Sequence, residues 1–156
     1  MSGQRLSEGL FSFHHRNVAR TVFVFRARSL DGIEMKSVED LDVFKLAHEL
    51  ALKTYSTTKV FPKEETFSLV DQMRRAAASV GMNLMEGAMR LGSREYRQFV
   101  GIARGSAGEV CYQLLLAKDL NYISEDTYRE LRSGYDRVLQ MLSRLSQTLG
   151  NVPRSR

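Results

Sequence analysis

Ser124–Gly150 reads SEDTYRELRSGYDRVLQMLSRLSQTLG. Within it Tyr128, Leu131, Tyr135, Val138, Leu142, Leu145 and Leu149 recur at steps of 3, 4, 3, 4, 3 and 4. That rhythm places every one of them on a single face of a 3.6-residue helix and fits no strand. Ser124 precedes the first apolar residue and is a natural N-cap, with Glu125 and Asp126 where the helix dipole favours negative charge. Gly150 and Pro153 supply the stop signals.

The same rhythm extends upstream. A third segment, from about Arg94 to Leu120, carries the stripe Tyr96, Phe99, Ala103, Ala107, Val110, Leu114 and Ala117. A second, from about Thr66 to Leu91, carries Val70, Met73, Ala77, Val80, Leu84, Ala88 and Leu91. Gly92 and Ser93 lie between these two and predict a C-terminal cap followed by an N-cap. The first segment runs from about Leu41 to Thr58 with the stripe Phe44, Ala47, Ala51 and Tyr55, flanked by Val43, Leu46 and Leu50. It stops before Phe61-Pro62, because proline disfavours helix at the residue before it. Three of the helices are about 25 residues long, nearly 40 Å at ~1.5 Å rise per residue. The expectation is an all-α protein, an antiparallel up-down-up-down four-helix bundle over residues 37–150.

A chain of 156 residues is long enough for one core without a disulfide or a metal. The single Cys111 excludes a disulfide framework and a multi-cysteine zinc site, and its place on an apolar helix reads as small core filling. The net charge of +5 is unevenly spread: residues 1–34 carry +2, the basic tail 151–156 carries +2, and residues 35–150 carry +1. Residues 1–36 form an N-terminal extension with no helical period, only the strand-like stretch Thr21–Phe25. Two readings of residues 1–34 stand side by side. Met35 is the natural start and the rest an early start-codon assignment, or the segment is a basic, disordered arm. An organelle transit peptide fits less well, since Glu8, Asp31 and Glu34 break its acid-poor pattern. No apolar run approaches a membrane span or a signal-peptide core, so a cytoplasmic location is the default expectation.

The order of landmarks resembles a known family. Leu41-Asp42-Val43-Phe44 and Ala47-His48-Glu49-Leu50-Ala51 open the first helix, and Phe61-Pro62-Lys63-Glu64-Glu65 fills the first loop. Gln72-Met73-Arg74-Arg75-Ala76-Ala77, Ser79 and Asn83-Leu84-Met85-Glu86-Gly87 follow. Tyr96-Arg97-Gln98-Phe99, Ala103-Arg104-Gly105-Ser106, Glu109 and Asn121-Tyr122-Ile123-Ser124 complete the set. Over about residues 38–149 this is similar to the bacterial four-helix-bundle proteins encoded in intervening sequences of 23S ribosomal RNA genes. The accessory variability protein of diversity-generating retroelements is related to that family. The resemblance implies a ring-like homopentamer without catalytic activity or cofactor. For the retroelement branch it implies nucleic acid and a reverse transcriptase as partners. The chain departs from the family in Val80-Gly81-Met82-Asn83, where Ile-Pro is common, and the missing proline predicts a second helix that is straighter or differently kinked.

Several constellations bear on function. Arg90, Arg94, Arg97 and Arg104 are spaced 4, 3 and 7, and the last three share a face of the third helix. They read as nucleic-acid (RNA or DNA) phosphate contacts without base-reading information, or as a solvated, ion-paired face. Arg74, Arg75, Asn83, Glu86 and Glu109 read as structural polar residues. An antiparallel register about position 92 sets Arg75 opposite Glu109 and Glu86 beside Arg97, which predicts interhelical ion pairs. Met82, Met85 and Met89 on the second helix and Tyr112, Leu115 and Leu116 on the third exceed one apolar face per helix and read as an oligomer interface. Gly101, Gly105 and Gly108 predict close helix approach, within the bundle or between subunits.

An enzyme is disfavoured. The di-metal use of such bundles needs Glu-x-x-His pairs, none of which occurs, and His48 reads as a surface or packing residue. No Gly-rich phosphate loop and no nucleophile–base pair is present. The sequence therefore supports a non-catalytic oligomer that binds nucleic acid or a nucleic-acid enzyme. The alternative is a purely structural or protein-interaction oligomer.

Overall fold

The computed structural model describes residues 37–151, so the readings placed on residues 1–36 and on the tail beyond 151 fall outside it. Four helices form the described chain: α1 (Asp42–Thr57), α2 (Leu69–Ala88), α3 (Ser93–Asp119) and α4 (Glu125–Gly150). A 3-10 turn at Val38–Asp40 precedes α1, two more at Thr58–Val60 and Lys63–Glu65 lie between α1 and α2, and no strand occurs among the described residues. The fold is an all-α four-helix bundle. Contacts at the α2–α3 interface run in opposite directions along the two helices: Ser79 meets Ser106, while Gly87, two turns further on, faces Tyr96 and Phe99.

The core follows the helical period. Met73, Val80, Leu84, Val100, Val110, Leu114, Tyr135, Val138 and Leu142 are wholly buried. The α4 stripe lies inward from Leu131 to Leu149, with Tyr128 and Leu145 at its partly covered edges. Cys111 is buried beside it.

α1 is rotated from its expected setting. Its buried face is Val43, Ala47, Leu50 and Thr54, whereas Phe44 and Ala51 are half-buried and Tyr55 is exposed. Apolar spacing alone chose the neighbouring stripe because Thr54 looks polar. Thr54 sheds that polarity by donating to the Leu50 carbonyl at 2.8 Å and by bonding the Tyr135 hydroxyl at 3.0 Å. Thr58 repeats the device on the Thr54 carbonyl at 2.9 Å.

The helix ends also differ from the sequence reading. α2 starts at Leu69 rather than near Thr66. The preceding turn is held by Glu65, whose carboxylate accepts from the Ser68 hydroxyl, the Leu69 N–H and the Tyr122 hydroxyl. These bonds hold the Glu65 carboxyl below its usual range, the Ser68 bond contributing most. α2 ends at Ala88 with Met89 as its C-cap, so Leu91 lies outside the helix and fully exposed. Ser93 is the first residue of α3, not its N-cap; Gly92 holds that position without a side-chain bond. Ser124 does cap α4, accepting from the Thr127 N–H at 3.1 Å.

α3 closes on Asn121, whose φ of 60° is left-handed. The Tyr122 N–H reaches the Ala117 carbonyl at 2.8 Å and the Asn121 N–H reaches Lys118 at 2.9 Å. This is a Schellman closure, with asparagine in the place glycine usually takes.

Candidate functional site

The four arginines of the expected basic face are exposed, but they are not equivalent. Arg90, just beyond the end of α2, is tied to Glu86 one turn back and lies over the Phe99 ring, 4.8 Å from its centroid. Arg97 leans across to α4: its Nε donates to the Ser146 hydroxyl at 3.3 Å, and its guanidinium fills the space beside Gly150. Arg94 and Arg104 have no side-chain hydrogen bond or ion pair to any described residue.

Two further arginines, on α4, share this free state. Arg137 and Arg144, seven residues apart on α4, are exposed, and their side chains are likewise unpaired among the described residues. From Arg137 to Gly150 α4 carries no carboxylate. The signal was present as an acid-free run, but the apolar period of α4 drew attention to the opposite face. The α4 half beginning at Arg137 lies beside the N-terminal half of α3, since Arg97 meets Ser146, but at 3.6 residues per turn Arg137 and Arg144 lie on the side of α4 turned away from Ser146, in line with Gly134 and Glu130, which meet Leu50 and Lys53 of α1.

The polar residues set between helices act locally. Asn83 donates to the Ser79 carbonyl at 2.8 Å and to its hydroxyl at 2.9 Å. Ser79 in turn bonds Ser106 on α3 at 2.9 Å, fixing the α2–α3 register within one residue of the sequence expectation. Arg74 donates to the Thr58 hydroxyl at 2.9 Å and lies over the Tyr55 ring, joining α2 to the end of α1.

The expected interhelical ion pairs do not form. Arg75 pairs with Asp71 at 3.6 Å along its own helix, and Glu86 pairs with Arg90. Both carboxylates have a basic partner one turn away at i,i+4, where helix geometry holds the two close with no need to cross a groove. Glu109 makes no ion pair among the described residues.

Of the expected interface residues, Met82, Met89 and Tyr112 are more than half exposed, whereas Met85 and Leu116 pack against the core and Leu115 is half-buried. Met82, Met85 and Met89 line one wall of an apolar groove of about 580 Å³ between α1 and α2. The stripe that α1 turned away from the core, Phe44, Ala51 and Tyr55, lines the other. His48 is exposed there, its ring parallel to Phe44 with centroids 6.4 Å apart.

Gly101, Gly105 and Gly108 do not mark close approach within the bundle. A Cβ at any of them meets nothing within 4 Å. The tight contacts are at Gly87, where a Cβ meets Tyr96 and Phe99 at 2.6 and 2.7 Å, and at Gly134, against Leu50. The sequence showed all these glycines on helices but not which way each faced.

No group of three or more His, Cys, Asp and Glu side chains among the described residues is placed to hold a metal. No helix among them is long and apolar enough to cross a membrane. What the geometry defines is a four-helix bundle with an apolar groove between α1 and α2 and, on α3 and α4, exposed arginines that have no partner among the described residues. The chain belongs to the 23S rRNA-intervening sequence protein family, whose sequence model it matches over residues 39–144. Its fold is similar to that of a protein of unknown function from the S23 ribosomal protein family of Bacteroides thetaiotaomicron. The two share 22% identity and a TM-score of 0.63, over 67% of this chain and 95% of that one. No curated protein sequence matches the chain.

Proposed function

We propose that the protein is a non-catalytic homo-oligomer that binds RNA or DNA through exposed arginines of α3 and α4. The observation that carries this reading is that Arg94 and Arg104 are exposed with no partner among the described residues, so their charge is free to meet phosphate. Arg137 and Arg144 extend the same character onto α4. Such contacts fix a backbone without reading bases, so the binding is expected to be sequence-tolerant. A reverse transcriptase, the partner class of the retroelement relatives, is compatible with the same surface.

Self-association is supported by the exposed Met82, Met89 and Tyr112, which a lone bundle leaves in water. A ring of five, as in the family resemblance, is the proposed assembly. The competing reading, a purely structural oligomer, draws on Arg90 and Arg97, both occupied within the chain.

Titration of the full chain with structured RNA and duplex DNA at low and moderate salt tests the proposal. Affinity should fall with salt and drop in the Arg94→Ala/Arg104→Ala variant. Absence of binding even at low salt overturns it.

A further inference from the structure

The apolar groove between α1 and α2 is left uncovered by the described residues: Met82 and Met89 are 61% and 68% exposed, and Leu52 across from them 59%. A contiguous apolar surface of this kind marks an interaction site. Its two ends are distinct. Phe44 stands beside Gly81, where a Cβ would meet its ring at 3.7 Å, whereas Tyr55 lies under Arg74 from the start of α2. α1 and α2 are therefore antiparallel, with Phe44, Met85 and Met89 at one end of the groove and Tyr55 at the other. The preceding chain joins at the Phe44 end. There the turn Val38–Asp40 packs on α1 and α2 and buries Val38. Ser37 fixes that turn: its hydroxyl accepts from the Glu39 N–H at 3.2 Å and its N–H donates to the Asp40 carboxylate at 3.1 Å.

We propose that the occupant is this chain's own segment Thr21–Phe25, TVFVF, laid lengthwise in the groove with Phe25 toward the Phe44 end. Val22-Phe23-Val24-Phe25 is the longest apolar run in residues 1–36. Its length fits. Phe44 and Tyr55 are about 16 Å apart along α1, and five residues laid out as a strand also span about 16 Å. Residues 26–36 reach up to ~36 Å, more than enough to return the chain to Ser37. A tether this short holds the segment at an effective concentration of order millimolar, so even a dissociation constant of about 0.1 mM keeps it docked about nine-tenths of the time. The charges agree as well. Arg26 follows the run, and the Phe44 end of the groove carries Glu86, with Glu39 and Asp42 in the turns beside it. Docking covers Met82 and Met89, so the segment and a neighbouring copy compete for one surface. Phosphate binding by the α3 and α4 arginines does not depend on it.

The methionine methyl signals of the full chain read the groove directly. Met82, Met85 and Met89 line it, while Met73 is wholly buried in the core and serves as the reference. In the parent, the rings of Phe23 and Phe25 should shift the three groove methyls. Phe23→Asp/Phe25→Asp should remove that shift and leave Met73 in place, which also shows the bundle folded. Leu10→Asp/Phe11→Asp, an equal loss of apolar residues from the same extension, should leave all four signals unchanged. Groove methyls that coincide in the parent and in Phe23→Asp/Phe25→Asp, or that move equally in both variants, overturn the proposal. So does a labelled Phe23→Asp/Phe25→Asp chain that regains the parent shifts on mixing with unlabelled parent, because the groove is then filled by a neighbouring copy.

Discussion

Replacing Gly101, Gly105 and Gly108 together by alanine should stabilise the folded chain. Glycine inside a helix costs about 0.8–1.0 kcal/mol relative to alanine, through backbone freedom lost on folding. All three positions lie within α3, and an added Cβ at any of them has nothing within 4 Å. No steric penalty offsets the gain, which comes to roughly 2.5 kcal/mol for the three. Gly87 provides the opposite control. A Cβ there enters to 2.6 Å of the Tyr96 ring and 2.7 Å of the Phe99 Cβ, so overpacking of about 1–3 kcal/mol meets a helical gain of only about 1. Urea unfolding, at protein concentrations where sedimentation shows single chains, reads both. The triple variant should shift to a higher midpoint with an unchanged slope, and Gly87→Ala to a lower one. A triple variant no more stable than the parent refutes the reasoning, because the outer face of α3 would then not be open in the single chain.

Three further outcomes follow from buried or bonded polar groups. Thr54 donates to Leu50, so its oxygen accepts from Tyr135. Tyr135→Phe should cost about 1 kcal/mol, Thr54→Val somewhat more because it strands the phenol, and the double variant less than their sum in a denaturation cycle. Burial pushes Tyr96 and Tyr135 up to about 12, so ultraviolet titration should find two phenols ionising well above the usual tyrosine range. Between the unfolded value near 10 and that folded value the unfolded chain holds fewer protons, so stability should decline as pH rises through this window. Glu65 has the reverse sign. Its lowered folded value gives stability that is present above the unfolded carboxyl range and lost as pH falls below it, and Glu65→Gln should flatten the acid limb of the stability profile.

The helices were legible because three of the four apolar stripes keep step with the backbone over many turns. The stripe from Val70 to Ala88 is buried as its spacing requires, and so are Leu131, Tyr135, Val138, Leu142 and Leu149 on α4. α1 escaped because its inward face ends in Thr54, and the residue that follows the helix is Thr58, both with hydroxyls satisfied by carbonyls one turn back. Spacing counts side-chain polarity and is blind to that local repair. Likewise the antiparallel register placed Arg75 near Glu109 correctly, yet each acidic partner actually used lies on the same helix as its arginine or just before it. Register says which residues can meet; competition among nearby carboxylates decides which do. The candidate site was half legible. Arg94 and Arg104 stood out as a spaced set, but nothing in the sequence separated them from Arg90 and Arg97.

The central claim is that unpaired arginines, and not the bundle's charge in general, hold phosphate. The slope of log affinity against log salt for duplex DNA measures it. Each phosphate contact contributes about 0.9 to that slope, so Arg94→Ala/Arg104→Ala should reduce its steepness by about 1.8. Arg90→Ala/Arg97→Ala, which removes two arginines already engaged within the chain, should change it less. An unchanged slope in the first variant, or an equal loss in both, contradicts the account.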